Sequence, residues 1–134
     1  MTHLNLMVDQ TFGEPVAKKL NEWGSIKATT TVGYGFRKNE KDDVLISSLE
    51  QSNCFLLTHD HNTINEYRYE PCTHGGIIII PRSIWTVEYV FERVKAFILS
   101  GKKAHAEHCV TYLHPKKAII KTHNSGELII PLKD

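Results

Sequence analysis

The chain predicts an α/β fold built on a mainly parallel sheet, and three patterns carry that expectation. Short apolar runs alternate with amphipathic stretches in the order β-α-β-α-β-β-α. The strongest runs, Cys54 to Thr58 and Ile77 to Ile80, are nearly continuous rather than alternating, as strands covered on both faces are. Beyond Lys103 the pattern changes to short β-like segments around a polar turn, which predicts a β-hairpin or meander attached to the same core. The expected organisation is therefore an α/β domain over 1–103 and a C-terminal β-hairpin extension over 104–134, packed on it.

Leu4 to Val8 reads as a short buried strand. Glu14 to Trp23 reads as a helix: Pro15 suits the first turn, Val16, Leu20 and Trp23 share a face, and Gly24 ends it. Ile26 to Val32 is rich in threonine and β-branched residues, predicting a second strand. A polar loop from Gly33 to Lys41 precedes a predicted helix from Asp42 to Gln51, which would bury Leu45, Ile46 and Leu49. Asn62 to Tyr69 fits either a short helix or an ordered loop. Gly75-Gly76 leads into the isoleucine strand. Ser83 is the expected cap of the longest helix, which runs to about Ser100 with Val87, Val90, Phe91, Val94, Phe97 and Ile98 at helical spacing. In the tail, Lys117 to Thr122 and Glu127 to Ile130 flank His123-Asn124-Ser125-Gly126 as a hairpin, and Cys109 to Leu113 offers one more strand.

With 134 residues, 41% hydrophobic and 23% charged, the chain is long enough for one domain with a real core, and disorder is not expected. A net charge of +1 gives no global attraction to nucleic acid, so any such binding needs a local basic patch. The apolar run Ile77 to Ile80 is far too short to span a membrane. Three cysteines without a signal-peptide pattern point to a reducing, cytoplasmic setting.

Three aspartates stand where a strand ends or a helix begins: Asp9, Asp42 and Asp60. Singly, each has an ordinary explanation, since Asp42 can cap its helix and Asp9 and Asp60 can close Asx-turns. Together, on one edge of one sheet, they form a set of carboxylates that needs a countercharge. A hard divalent cation with oxygen ligands supplies one.

The run Leu6-Met7-Val8-Asp9, then Asp42 opening a helix, then Leu56-Leu57-Thr58-His59-Asp60 and Gly75-Gly76-Ile77-Ile78-Ile79-Ile80 resembles the PIN-domain superfamily, in its compact PIN-like branch related to VapC toxins. The resemblance covers Leu4 to about Gly101. It implies a three-layer α/β/α fold with a mainly parallel central sheet, and a ribonuclease dependent on Mg²⁺ or Mn²⁺. Carried over by position, Asp9, Asp42 and Asp60 are the metal ligands and Thr58 supports them by hydrogen bonding. Where the family usually has a further aspartate, this chain has Asn62, which can offer a carbonyl oxygen but no charge. Glu66, one turn further along if that stretch is helical, is a candidate replacement.

The resemblance implies endoribonucleolytic hydrolysis of RNA phosphodiesters, and the expected setting is that of a toxin in a toxin–antitoxin pair, held by an antitoxin protein. The alternative is a PIN-like RNA- or protein-binding module with weakened or no nuclease activity, which Asn62 and the near-neutral charge favour. A receiver-like signalling domain fits less well, because Asp9 is followed by Gln10 and Ile80 by Pro81-Arg82. Arg37, Lys38 and Lys41, interleaved with Tyr34 and Phe36, are candidate RNA contacts, as are Arg68 and Arg82; a solvated loop is the plain reading of the same residues. Either His59 or His61 could join a Mn²⁺ site, but strand alternation keeps both from sharing a face with Asp60. His105, His108, Cys109 and His114 form a second cluster without strong zinc spacing. The hairpin edge suggests a homodimer by strand pairing.

Overall fold

The computed structural model describes residues 4–9, 12–33, 35, 54–59, 76–80, 85–107, 109–122 and 126–132. These form β1 (Leu4–Val8), α1 (Gly13–Asn21), β2 (Ile26–Thr30), β3 (Cys54–Thr58), β4 (Ile77–Ile79), α2 (Val87–Leu99), a 3₁₀ turn (Lys103–Ala106), β5 (Val110–Leu113), β6 (Lys117–Lys121) and β7 (Glu127–Pro131). One seven-stranded sheet runs through the chain in the order β2-β1-β3-β4-β5-β6-β7. Strands β1 to β5 are parallel, and β6 and β7 add antiparallel pairs. The α/β class is therefore as the alternating pattern predicts.

Period-two alternation sorts the side chains into two cores. Leu4, Leu6, Val8, Ile26, Ala28, Phe55, Leu57 and Ile78 pack with Val16 and Leu20 of α1 and with Val90, Val94 and Phe97 of α2. Met7, Cys54, Leu56, Ile77, Ile79 and Val110 form a buried cluster on the opposite face, with Tyr112 against it. Burial on both faces explains why the central strands are apolar at every position.

Both described helices cover the same face of the sheet. Lys19 of α1 pairs with Glu88 of α2 at 3.3 Å and lies over the Phe91 ring at 5.1 Å. The connection from β1 to β2 steps one way across that face, and the connection from β4 to β5 steps the other way. The two crossovers therefore have opposite hands, and one departs from the usual right-handed rule.

Three local expectations are corrected. α2 begins later than Ser83 suggests: Thr86 is the cap, extended at φ −120°, ψ 160°, with its hydroxyl accepting from the Tyr89 amide at 3.0 Å. Trp85, just ahead, packs against Phe12 instead of joining the helix. β2 ends at Thr30, and exposed Val32 lies in the turn beyond it. β5, expected as a strand of the tail meander attached to the core, pairs parallel with β4, so the parallel sheet continues past 103 before the antiparallel hairpin begins. The predicted helix from Asp42 to Gln51 and the stretch from Asn62 to Tyr69 lie outside the described residues. Among the described residues, no helix is long and apolar enough to cross a membrane.

Candidate functional site

The parallel strands bring their carboxyl ends to one edge, and β1 is where the strand order turns: β2 lies on one side of it and β3 on the other. In open α/β sheets this divergence leaves the crevice in which ligands bind. Asp9 follows β1 there, and Thr58 ends β3 beside it. The Thr58 hydroxyl donates to Asp9 Oδ2 at 2.6 Å, a short bond of the kind made to an ionised acceptor.

Backbone bonds hold both residues in place. The Asp9 amide donates to the Leu57 carbonyl at 2.9 Å, and the Thr58 carbonyl accepts from the Ile80 amide at 3.0 Å. The Asp9 carbonyl accepts from the amides of Phe12 at 2.9 Å and Gly13 at 3.2 Å, turning the chain straight into α1. Gly13 takes φ +72° at that turn, a conformation that glycine adopts without the Cβ penalty. Asp9 thus sits on a short, hydrogen-bonded link between strand and helix, and Thr58, 1% exposed, is locked in the sheet beneath it.

A ring cluster closes the same edge on the helix side. Phe12 meets His59 edge-on at 5.2 Å and Trp85 at 4.8 Å, and His59 lies 6.4 Å from Trp85. Alternation along β3 explains the division. Thr58 shares the side of Cys54 and Leu56, whereas His59 follows Phe55 and Leu57 toward α1 and α2. The His59 ring therefore packs with aromatics on the side away from the Thr58 hydroxyl, and its expected alternative role as a metal ligand beside the carboxylates loses support. The sequence reading missed this cluster. Phe12, an apolar residue just before a helix, was its only local signal.

Of the expected site, Asp9 and Thr58 are brought together. Asp42, Asp60, Asn62 and Glu66 lie outside the described residues, as do Arg37, Lys38, Lys41, Arg68 and Arg82, with Tyr34, Phe36 and His61. Among the described residues, no three His, Cys, Asp or Glu side chains are grouped to hold a metal.

The His105, His108, Cys109 and His114 set cannot share one ion. Cys109 precedes β5 and His114 follows it, which separates them by about 16 Å of extended chain, against zinc–ligand distances of about 2.0–2.3 Å. His105 is exposed on the 3₁₀ turn, and His108 lies outside the described residues. Cys109 is buried, and desolvation pushes its thiol pKa up, which keeps it an unreactive core residue. His114 stacks on Tyr112 at 6.4 Å, and burial, then the nearby Lys117, lowers its pKa.

Comparison with family models, with curated proteins and with solved structures finds no match.

Proposed function

We propose that the chain is a PIN-like, metal-dependent endoribonuclease that hydrolyses RNA phosphodiesters at the carboxyl edge of its sheet. The observation that carries this reading is the Asp9–Thr58 hydrogen bond of 2.6 Å across the ends of β1 and β3. It is the acid and the supporting hydroxyl that the sequence resemblance pairs, at the position where open α/β sheets bind ligands. The PIN-like three-layer arrangement, with the hairpin as its C-terminal extension, belongs to the same proposal. So do a cytoplasmic setting and a role as the toxin of a toxin–antitoxin pair.

The donor chemistry fits a hard divalent cation. A carboxylate has two oxygens and about four acceptor directions, so accepting from Thr58 at Oδ2 is compatible with ligating Mg²⁺ or Mn²⁺. Asp9 would hold the ion together with Asp42 and Asp60, and Asn62 or Glu66 would add a neutral or charged oxygen. When bound, such an ion lowers the pKa of a ligated water and neutralises charge on the scissile phosphate. Thr58 keeps the Asp9 carboxylate in one rotamer, so the site is oriented before the ion arrives. Arg37, Lys38, Lys41, Arg68 and Arg82 supply cations for the phosphates of the RNA.

The test is incubation of the purified chain with structured and unstructured RNA in Mn²⁺ or Mg²⁺, beside Asp9→Asn. The expected result is cleavage that chelation stops and that falls at least about a hundredfold in the variant, near 2.7 kcal/mol of transition-state stabilisation. Cleavage that persists in the variant removes the assignment. RNA binding without cleavage in either protein favours the binding-module alternative.

A further inference from the structure

We propose that the sheet face around Tyr112 and His114 stacks a base of single-stranded RNA, which makes unpaired RNA the substrate class of the site at Asp9. The inference rests on the nuclease reading and deepens it. Strand register supplies the geometry. Thr58 is level with Ile79, and Ile79 with Tyr112, so the row that carries Asp9 and Thr58 continues across β4 to β5. Level residues of neighbouring strands share a face, and Tyr112 packs on the cluster that contains Ile79 and Leu56. Three strand spacings of about 4.8 Å set Tyr112 roughly 14 Å from Asp9. Ile79 and Ile80 are fully buried between them, so the route from acid to ring runs along the carboxyl ends of the strands. His114, which follows β5, stands toward that edge on the same face.

The two rings suit a stacked base. Tyr112 and His114 lie 6.4 Å apart with 13° between their planes, and both are partly exposed. A base stacked on one is therefore aligned with the other. Cations stand beside them. The His114 amide donates to the Lys117 carbonyl at 2.8 Å, which sets exposed Lys117 across the turn from the imidazole. The Lys121 ammonium lies 5.2 Å from the centre of the Tyr112 ring. Aromatic faces that take bases, flanked by lysines that take phosphates, are the chemistry of single-strand binding.

The other face of the hairpin is committed to packing. Ala118, Ile120 and Ile130 join the core under both described helices, whereas Lys117, Ile119, Lys121 and Ile129 alternate onto the Tyr112 face. Glu127 pairs with Lys121 at 3.6 Å and is itself 49% exposed. Such a surface ion pair is weak, so a phosphate can replace the carboxylate at Lys121.

Fluorescence anisotropy of the full chain with a short, labelled single-stranded RNA in EDTA tests the proposal with metal-dependent cleavage suppressed. The expected result is saturable binding that Tyr112→Leu and Lys117→Glu each weaken at least about fivefold. Tyr112→Phe, which keeps the ring, should preserve it, and Glu127→Gln should tighten it. Duplex RNA of the same sequence should bind more weakly, because its bases offer no free faces. Should Tyr112→Leu fail to fold, the opposite signs of Lys117→Glu and Glu127→Gln, both at exposed positions, decide. No RNA binding, equal binding of duplex, or binding indifferent to these changes overturns the proposal. Cleavage with indifferent binding leaves the Asp9 site standing without this surface. Binding that responds as expected, without cleavage when Mn²⁺ is supplied, supports the surface and removes the nuclease reading.

Discussion

The Thr58 hydroxyl donates to the Asp9 carboxylate at 2.6 Å, joining the ends of two adjacent parallel strands through their side chains as well as their backbones. This bond has a defined cost of removal. Thr58→Val keeps the shape but leaves Asp9 without that donor. The expected loss is about 1.5 kcal/mol, the low end for a bond to a charged acceptor, because Asp9 is only half-buried. Urea unfolding of Thr58→Val beside Thr58→Ser checks it, since serine retains the hydroxyl and should lose less.

Among the described glycines, Gly76 is the one least able to accept a side chain. It stands at φ +147°, and a Cβ there would lie 2.5 Å from Phe55 Cε2, 2.7 Å from Phe55 Cδ2 and 3.1 Å from the Ala106 carbonyl. Gly76→Ala should therefore combine backbone strain with overpacking, for a loss of roughly 3 kcal/mol. A melting curve unchanged from the parent would contradict that crowding.

Asn21 protects the β2 edge rather than the core. Asn21→Ala removes both bonds to Ala28 and should lower stability by about 1 kcal/mol, because water replaces part of what is lost. The same change should raise aggregation at high concentration by freeing the edge. Asn21→Asp should aggregate less than Asn21→Ala despite losing the donor, because it leaves a charge at the open strand. Turbidity against time separates the two variants.

His114 sets a pH dependence whose sign follows from its lowered pKa. Burial first, and Lys117 second, disfavour the charged imidazole in the folded chain relative to its ordinary value of 6.5. Between those two values the unfolded chain binds more protons, so stability falls as the pH drops below about 6.5 and levels off below the folded value. His114→Gln should flatten this part of the melting temperature–pH profile. A profile identical to the parent's would assign the slope to other groups.

Much of the fold was legible because its signals are local. β1, β3 and β4 are apolar runs bounded by polar or glycine residues, α1 carries Pro15 in its first turn, and β6 and β7 flank a polar turn. The start of α2 was misplaced because Ser83 and Thr86 are both good caps. What decides between them is Trp85 packing on Phe12, a contact with no trace in helical spacing. The parallel pairing of β5 with β4, the shared face of α1 and α2, and the Asn21 clamp on Ala28 were not legible for the same reason. Each depends on register between distant segments. Within the candidate site, strand-end position located Asp9, whereas the partnership with Thr58 came from a family resemblance and then from geometry. The second histidine-rich cluster looked close in sequence only because an extended strand lay inside it.

The central claim is that Asp9 helps hold a divalent cation at the junction of β1 and β3. Calorimetric titration of Mn²⁺ into the full chain, beside Asp9→Asn of matched stability, tests it without relying on RNA cleavage. The account predicts saturable binding to the parent, with a melting temperature that rises with Mn²⁺ concentration, and loss of both in the variant. Binding of equal strength in the two proteins, or no binding to the parent, would contradict it.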